Sequence, residues 1–294
     1  MKVALFGRFY ETKDKPYVED LLLSLKKYEI EYIIFKPYCE SFSHDIVLDN
    51  ITTFENDNEL DHSIDYFITL GGDGTILRAA TLIKDKNIPV LGINMGRLGF
   101  LANVSKKDIP KAVEMIVNKE FTIKERLLIS VATTPAIDEL TSVNFALNEV
   151  TISRNNTASM VSVDTYLNGE FLTSYWADGL IMTTPTGSTG YSLSCGGPII
   201  DPTARSFALT PIALHNLSAR PMVIHEDTEV SMEIHGREKS YLLALDSRIM
   251  EVDTATKITI KKADFNIQMI SLNGQTFFKT LREKLLWGQD HRNY

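Results

Sequence analysis

The 294-residue chain carries a net charge of −8, 44% apolar residues and two cysteines. The charge argues against non-specific nucleic-acid binding. Cys39 and Cys195, far apart in sequence, argue against a disulfide framework or a zinc site and for a reducing, cytoplasmic setting. The apolar content suffices for one large or two ordinary domains, and the lack of any apolar run of about 18 residues argues against a membrane span.

In chain order, Met1–Gly7 is too short for a signal peptide and predicts a first buried strand over Val3–Phe6. Val18, Leu21, Leu22, Leu25 and Tyr28 recur at helical spacing, so Tyr17–Tyr28 predicts a helix, with Tyr32–Phe35 the next strand. Tyr66–Leu70 predicts another strand, which stops in Gly71-Gly72-Asp73-Gly74-Thr75 before a helix from Ile76 to Lys84. Pro89–Ile93 returns to strand. A helix follows from Ser105, with Ser105 and Asp108 as a capping box and Ile109, Val113, Ile116 and Val117 as its apolar face. This alternation predicts an α/β domain with a mostly parallel sheet over residues 1–120.

From Phe121 to Val131 the pattern turns to partial two-residue alternation. Val161–Trp176 reads as a hairpin turning at Asn168-Gly169, and Val230–Ile234, Ile258–Ile260 and Ile267–Leu272 add strands. The region 121–275 is therefore expected to be a β-rich domain. A last helix over Thr276–Trp287, with Phe277, Leu281 and Leu285 on one face, is expected to lie within a C-terminal segment, 276–294, that packs back on the first domain.

Four stretches carry chemistry. Glycines after a parallel strand let phosphates approach the backbone, and the helix that follows offers free N–H donors and partial positive charge. Asp73 among such groups is unfavourable beside phosphate unless it holds a metal or takes a proton. The second stretch, Asp178–Pro198, is crowded with glycines and small hydroxyl residues whose donors suit a phosphate or ribose. The third, Asn148-Glu149, is a polar pair inside an apolar run, costly to bury without partners. The fourth, Gly92–Leu101, ends another parallel strand and places Phe100 where it suits stacking on a base. A Gly-x-x-x-x-Gly-Lys-Ser/Thr phosphate loop, a Gly-x-Gly-x-x-Gly fingerprint after the first strand, a Gly-x-Ser-x-Gly elbow, a His-Glu-x-x-His pair and a protein-kinase catalytic loop are all missing.

The Gly71–Thr75 motif alone is shared with lipid kinases and, in similar form, phosphofructokinases. With Gly92–Leu101, Asn148-Glu149, Asp178–Pro198 and His215–Pro221 in that order, the chain resembles the NAD kinase family. The resemblance implies an N-terminal α/β domain, a C-terminal β-rich domain and a nucleotide site between them. It implies transfer of the γ-phosphoryl group of ATP to the 2′-hydroxyl of the adenosine ribose of NAD, giving NADP, with a divalent cation (Mg2+ or Mn2+). Asp73 matches the proton acceptor, with orientation of the hydroxyl or metal contact as alternatives. Gly74, Asn148, Glu149, Asp178 and the run Thr189, Gly190, Tyr191, Ser192, Leu193 and Ser194 match NAD-contacting positions. Arg78 is a phosphate or nucleotide contact by its place after Thr75. A homo-oligomer, dimer or tetramer, is implied, with no nucleic acid or membrane partner. The chain departs from the family at Gly190, where alanine is common, at Arg248, which follows Asp246-Ser247, and at Trp176, where some relatives have arginine.

Overall fold

The structure is a computed structural model that describes residues 1–48, 51–155, 160–215 and 218–286. Two compact units emerge, one of Met1–Glu125 with the chain from Ile267 onward, the other Arg126–Asn266. Among the described residues no helix is long and apolar enough to cross a membrane.

The first unit is built on one sheet. Its strands run in the order Thr53–Phe54, Glu31–Phe35, Lys2–Gly7, Tyr66–Gly71, Val90–Asn94, Ile267–Leu272 and Phe121–Arg126, with Val104–Ser105 paired beside Val90–Asn94. The central pairs are parallel: Val3 faces Tyr66 and Phe67 faces Val90. Parallel strands covered on both faces are continuously apolar, and Val90–Asn94 is buried at every position. Helices Lys15–Lys27 and Ile109–Val117 pack their apolar residues Val18, Leu21, Leu25, Val113 and Ile116 into the same core.

The second unit is a sandwich of two antiparallel sheets. One runs Met222–His225, Ser206–Ile212, Gly179–Thr183, Glu149–Arg154, Ser240–Leu245, Arg248–Asp253. The other runs Glu170–Ala177, Val161–Leu167, Val230–His235, Lys257–Lys262, Ile129–Thr134, Phe145–Ala146. Buried positions alternate along Val161–Leu167, Val230–His235 and Ser240–Leu245, as expected of strands with one face inward. Val150, Met182 and Leu243 of one sheet share a core with Val163, Met232 and Ile260 of the other. The hairpin turns at Asn168-Gly169, both at positive φ.

Three expectations need correction. The units divide at 125/126 and 266/267, not at 120/121 and 275/276. Phe121–Arg126 and Ile267–Leu272 join the first sheet, Met269 pairing parallel with Val90. An apolar hexapeptide suits either sheet, so periodicity alone misassigns it. The stretch Phe121–Val131 is two strands in different sheets. Ser105 caps a 3-10 turn, accepting from the Lys107 N–H at 3.3 Å, and the α-helix begins only at Ile109. The last helix spans Phe277–Leu285 behind its Thr276 cap; Trp287 lies outside the described residues, as do Asn216 and Leu217 of the His215–Pro221 block.

Candidate active site

Strand Tyr66–Gly71 delivers the chain to Gly72, the extended N-cap, and the helix runs Asp73–Ile83. It starts three residues before the position that the apolar periodicity predicts, because an acidic first residue suits the positive end of the helix dipole. The Asp73 carboxylate is held by three successive backbone N–H groups: Phe100 donates to Oδ2 at 2.9 Å, while Leu101 and Ala102 donate to Oδ1 at 3.0 and 2.9 Å. These donors stabilise an anion that the sequence alone leaves uncompensated. The turn at Gly99 makes the contact possible. A Cβ there would fall 1.9 Å from Asp73 Oδ1, so only glycine lets the loop close over the carboxylate. Gly99→Ala is expected to dislodge Asp73, lowering kcat about tenfold and stability by about 1–3 kcal/mol, measured by steady-state turnover and thermal melting.

Gly72 and Gly74 are exposed, and a Cβ at either would meet nothing within 4 Å. Packing does not demand glycine there, which leaves open space over the helix N-terminus for an approaching anion. Arg78 is exposed and lies one turn beyond Gly74, on the same helix face; Thr75 is buried. Phe100 is half-buried, its ring 6.2 Å from that of Phe277 and under the Lys284 ammonium at 4.9 Å.

In the second unit, Asn148 and Glu149 enter strand Glu149–Arg154. The Asn148 carbonyl accepts from the Thr184 N–H at 2.8 Å and from Thr183 Oγ1 at 3.1 Å, so its backbone is fixed. Its side-chain Oδ1 and Glu149 Oε2 are buried with no hydrogen-bond partner. A Cβ at Gly190 would lie 3.3 Å from Glu149 Oε2 and 3.7 Å from Asn148 Nδ2, which gathers the three residues at one place. Unpaired buried polar atoms are costly, and a ligand with hydroxyl and amide groups satisfies them.

Burial, followed by the charge of Asp246, pushes the Glu149 carboxyl up to about 8 from its usual 4.5. Folded Glu149 therefore keeps a proton that the unfolded chain gives up. Its stability contribution is fully present below about pH 4.5 and is lost as pH rises toward 8. Glu149→Gln, which cannot ionise, is expected to melt several degrees above the native chain at pH 9 and within a degree or two of it at pH 5, about 1–3 kcal/mol.

The hydroxyl-rich stretch is less open than its composition suggests. It folds into the 3-10 turn Gly187–Thr189 and the one-turn helix Tyr191–Ser194. Thr184 Oγ1 donates to the Leu147 carbonyl at 2.6 Å, Ser188 Oγ to that of Pro185 at 2.7 Å, and Ser192 Oγ pairs with Thr210 Oγ1 at 2.9 Å. All three side chains are buried. These hydroxyls build the loop, and the Ser192 hydroxyl is engaged within it. Thr189 and Leu193 are half-buried, while Tyr191 and Ser194 are exposed. Thr186, which the sequence reading did not single out, carries a buried Oγ1 with no partner.

Asp178 is paired with Arg154, Nη2 to Oδ2 at 2.9 Å, a partner no local pattern marks. Trp176 is exposed, its ring 5.8 Å from that of His215. Arg248 donates to the carbonyls of Val143 (2.7 Å) and Phe145, and lies over the Phe145 ring. It therefore has a structural role.

Among the described residues no three His, Cys, Asp or Glu side chains gather as a metal site, and both Asp73 oxygens already accept N–H groups. The described residues thus offer no protein cage for a divalent ion. An Mg2+ ion held chiefly by substrate phosphates and waters needs none.

Residues 18–121 match the family described as ATP-NAD kinase N-terminal domain and residues 147–272 that described as ATP-NAD kinase C-terminal domain. The chain is 47% identical to an NAD kinase of Flavobacterium johnsoniae and 48% identical to one of Flavobacterium psychrophilum, each over 100% of both chains. The chain belongs to the NAD kinase family. Solved structures agree on the fold. A yeast NADH kinase complexed with NADH superposes with a TM-score of 0.87 at 24% identity, over 100% of this chain and 90% of that one. An Archaeoglobus fulgidus NAD kinase in complex with ATP gives 0.73 at 24% identity, over 97% of each chain. Against this family, the Asp73 loop and the Asn148-Glu149 cluster fall one in each matched region.

Proposed function

We propose that the chain is an ATP-dependent NAD kinase in which Asp73 receives the proton of the adenosine-ribose 2′-hydroxyl. The carrying observation is the three-amide grip on Asp73 at the first turn of a helix. A carboxylate offers about four acceptor sites. Two on Oδ1 and one on Oδ2 are taken, so the fourth, on Oδ2, is available to a hydroxyl of fixed direction. As the ribose oxygen bonds to the γ-phosphorus, the bond from that phosphorus to the departing ADP oxygen breaks and the hydroxyl proton passes to Asp73. Transfer of this kind is governed by position and charge neutralisation, and a weak base suffices when the proton moves late. A divalent ion, when bound, offsets charge on the donor phosphates.

The open approach over Gly72 and Gly74, with Arg78 on the same helix face, suits the phosphates. Asn148 Oδ1 and neutral Glu149 suit ribose hydroxyls, with Gly190 beside them. Asp178, Thr189, Tyr191, Leu193 and Ser194 line the remaining dinucleotide contacts, Ser192 contributing through its backbone, and Phe100 offers an apolar face for a base. We expect a homo-oligomer, dimer or tetramer, in the cytoplasm. Incubation with ATP, Mg2+ and NAD, read by a dehydrogenase that accepts only NADP, tests the activity. Absence of NADP across metals and phosphoryl donors would overturn it.

A further inference from the structure

Asp246 is the least explained carboxylate of the second unit. It sits in the tight turn between strands Ser240–Leu245 and Arg248–Asp253, at φ 53°. Its Oδ2 accepts from Leu147 N–H at 2.9 Å and its Oδ1 from Asn148 and Glu149 N–H at 2.8 and 3.2 Å. Its own N–H donates to the Glu149 carbonyl at 2.9 Å. The turn is therefore tied in both directions to the residues that present the unpaired Asn148 and Glu149 side chains.

We propose that Asp246 is a positioning residue for NAD: it fixes the backbone of Asn148 and Glu149 and keeps Glu149 as an uncharged hydrogen-bond donor to the dinucleotide. The inference rests on the assignment of Asn148 and Glu149 to NAD made above. Two nearby carboxylates in a poorly solvated place do not both ionise easily. The three amide donors decide which one keeps the charge. They favour the Asp246 anion, as does Arg248 beside it, although burial pushes Asp246 up as well. Glu149 has no such donors, and its Oε2 is unpaired. The other titratable groups that face it are Tyr191 of the short helix and Cys195 just after it, both held up by burial and so neutral near pH 7. No cation among the groups acting on Glu149 favours its ionised form. A neutral acid also avoids repulsion with the diphosphate of the ligand, which a carboxylate would incur.

The test is calorimetric titration of the full chain with NAD from pH 6 to 9.5, for the native protein, Asp246→Asn and Glu149→Gln. Native affinity is expected to fall about tenfold per pH unit above the titration of Glu149. Asp246→Asn, which removes the neighbouring charge and so eases ionisation of Glu149, is expected to weaken binding several-fold at pH 7 and to move the onset of the fall about one unit toward acid pH. An alkaline shift counts against the proposal. Glu149→Gln keeps a neutral donor and is expected to bind without this pH dependence. A native profile flat over the range, or an unmoved profile in folded Asp246→Asn, overturns the proposal. If Asp246→Asn does not fold, the same slope in native and Glu149→Gln proteins overturns it. A native chain that binds no NAD at any pH overturns the functional assignment itself, a distinguishable outcome.

Discussion

Asp73→Asn is expected to lower kcat by about 10²- to 10⁴-fold, the usual contribution of a positioned acid–base group, while NAD affinity stays within about threefold. Asparagine keeps the shape of aspartate, and its Oδ1 can still accept from Leu101 and Ala102. Its Nδ2 then meets the Phe100 N–H, donor against donor, at the place where Oδ2 accepts at 2.9 Å in the native chain. The variant therefore loses one tether and the proton acceptor together. The lost tether costs about 1–3 kcal/mol of stability, and melting measures it separately from turnover. Pre-steady-state turnover with saturating ATP and NAD isolates the chemical step. Near-native turnover with intact NAD binding would exclude Asp73 from the chemistry and leave the amide grip a purely structural device.

The contrast between Asp73 and Asp246 shows what sequence makes legible. Gly71–Thr75 stands out because glycines after an apolar run are expensive unless something approaches the backbone. Asn148-Glu149 stands out because a polar pair interrupts a buried strand. The amide grips on both aspartates do not stand out. The donors to Asp73 come 27 to 29 residues later, and those to Asp246 come 97 to 99 residues earlier, separations at which no local pattern survives. Backbone N–H groups also carry no residue identity. Composition misleads in the other direction over Thr183–Ser194: hydroxyls that hold a loop together and hydroxyls that hold a ligand are the same residues, and only the direction of each bond separates them. The return of Ile267–Leu272 to the first sheet is hidden for a related reason, since a buried strand is apolar in either unit.

Gly187→Ala is expected to weaken NAD binding about a hundredfold and to destabilise the fold by about 3 kcal/mol. A Cβ at this position would lie 2.2, 2.5 and 2.6 Å from the carbonyl oxygen, carbonyl carbon and Cα of Asn148. All three are backbone atoms, so no side-chain rotation relieves the overlap. The Asn148 backbone is itself pinned, its carbonyl by Thr183 and Thr184 and its N–H by Asp246. The loop is pinned too, the Gly187 N–H donating to Thr184 Oγ1 at 3.0 Å. Either the loop or the strand must move by about 1 Å, the scale at which positioning loses about two orders of magnitude. Gly190→Ala supplies the internal comparison. Its Cβ would meet nothing nearer than the Gly187 carbonyl at 3.1 Å, a neighbour that needs to yield only a few tenths of an ångström. Its effect on NAD affinity is expected to be at least tenfold smaller. Equal losses in the two variants, measured by NAD titration at one pH, would show that the loop is mobile and that contact with Asn148 does not set its position.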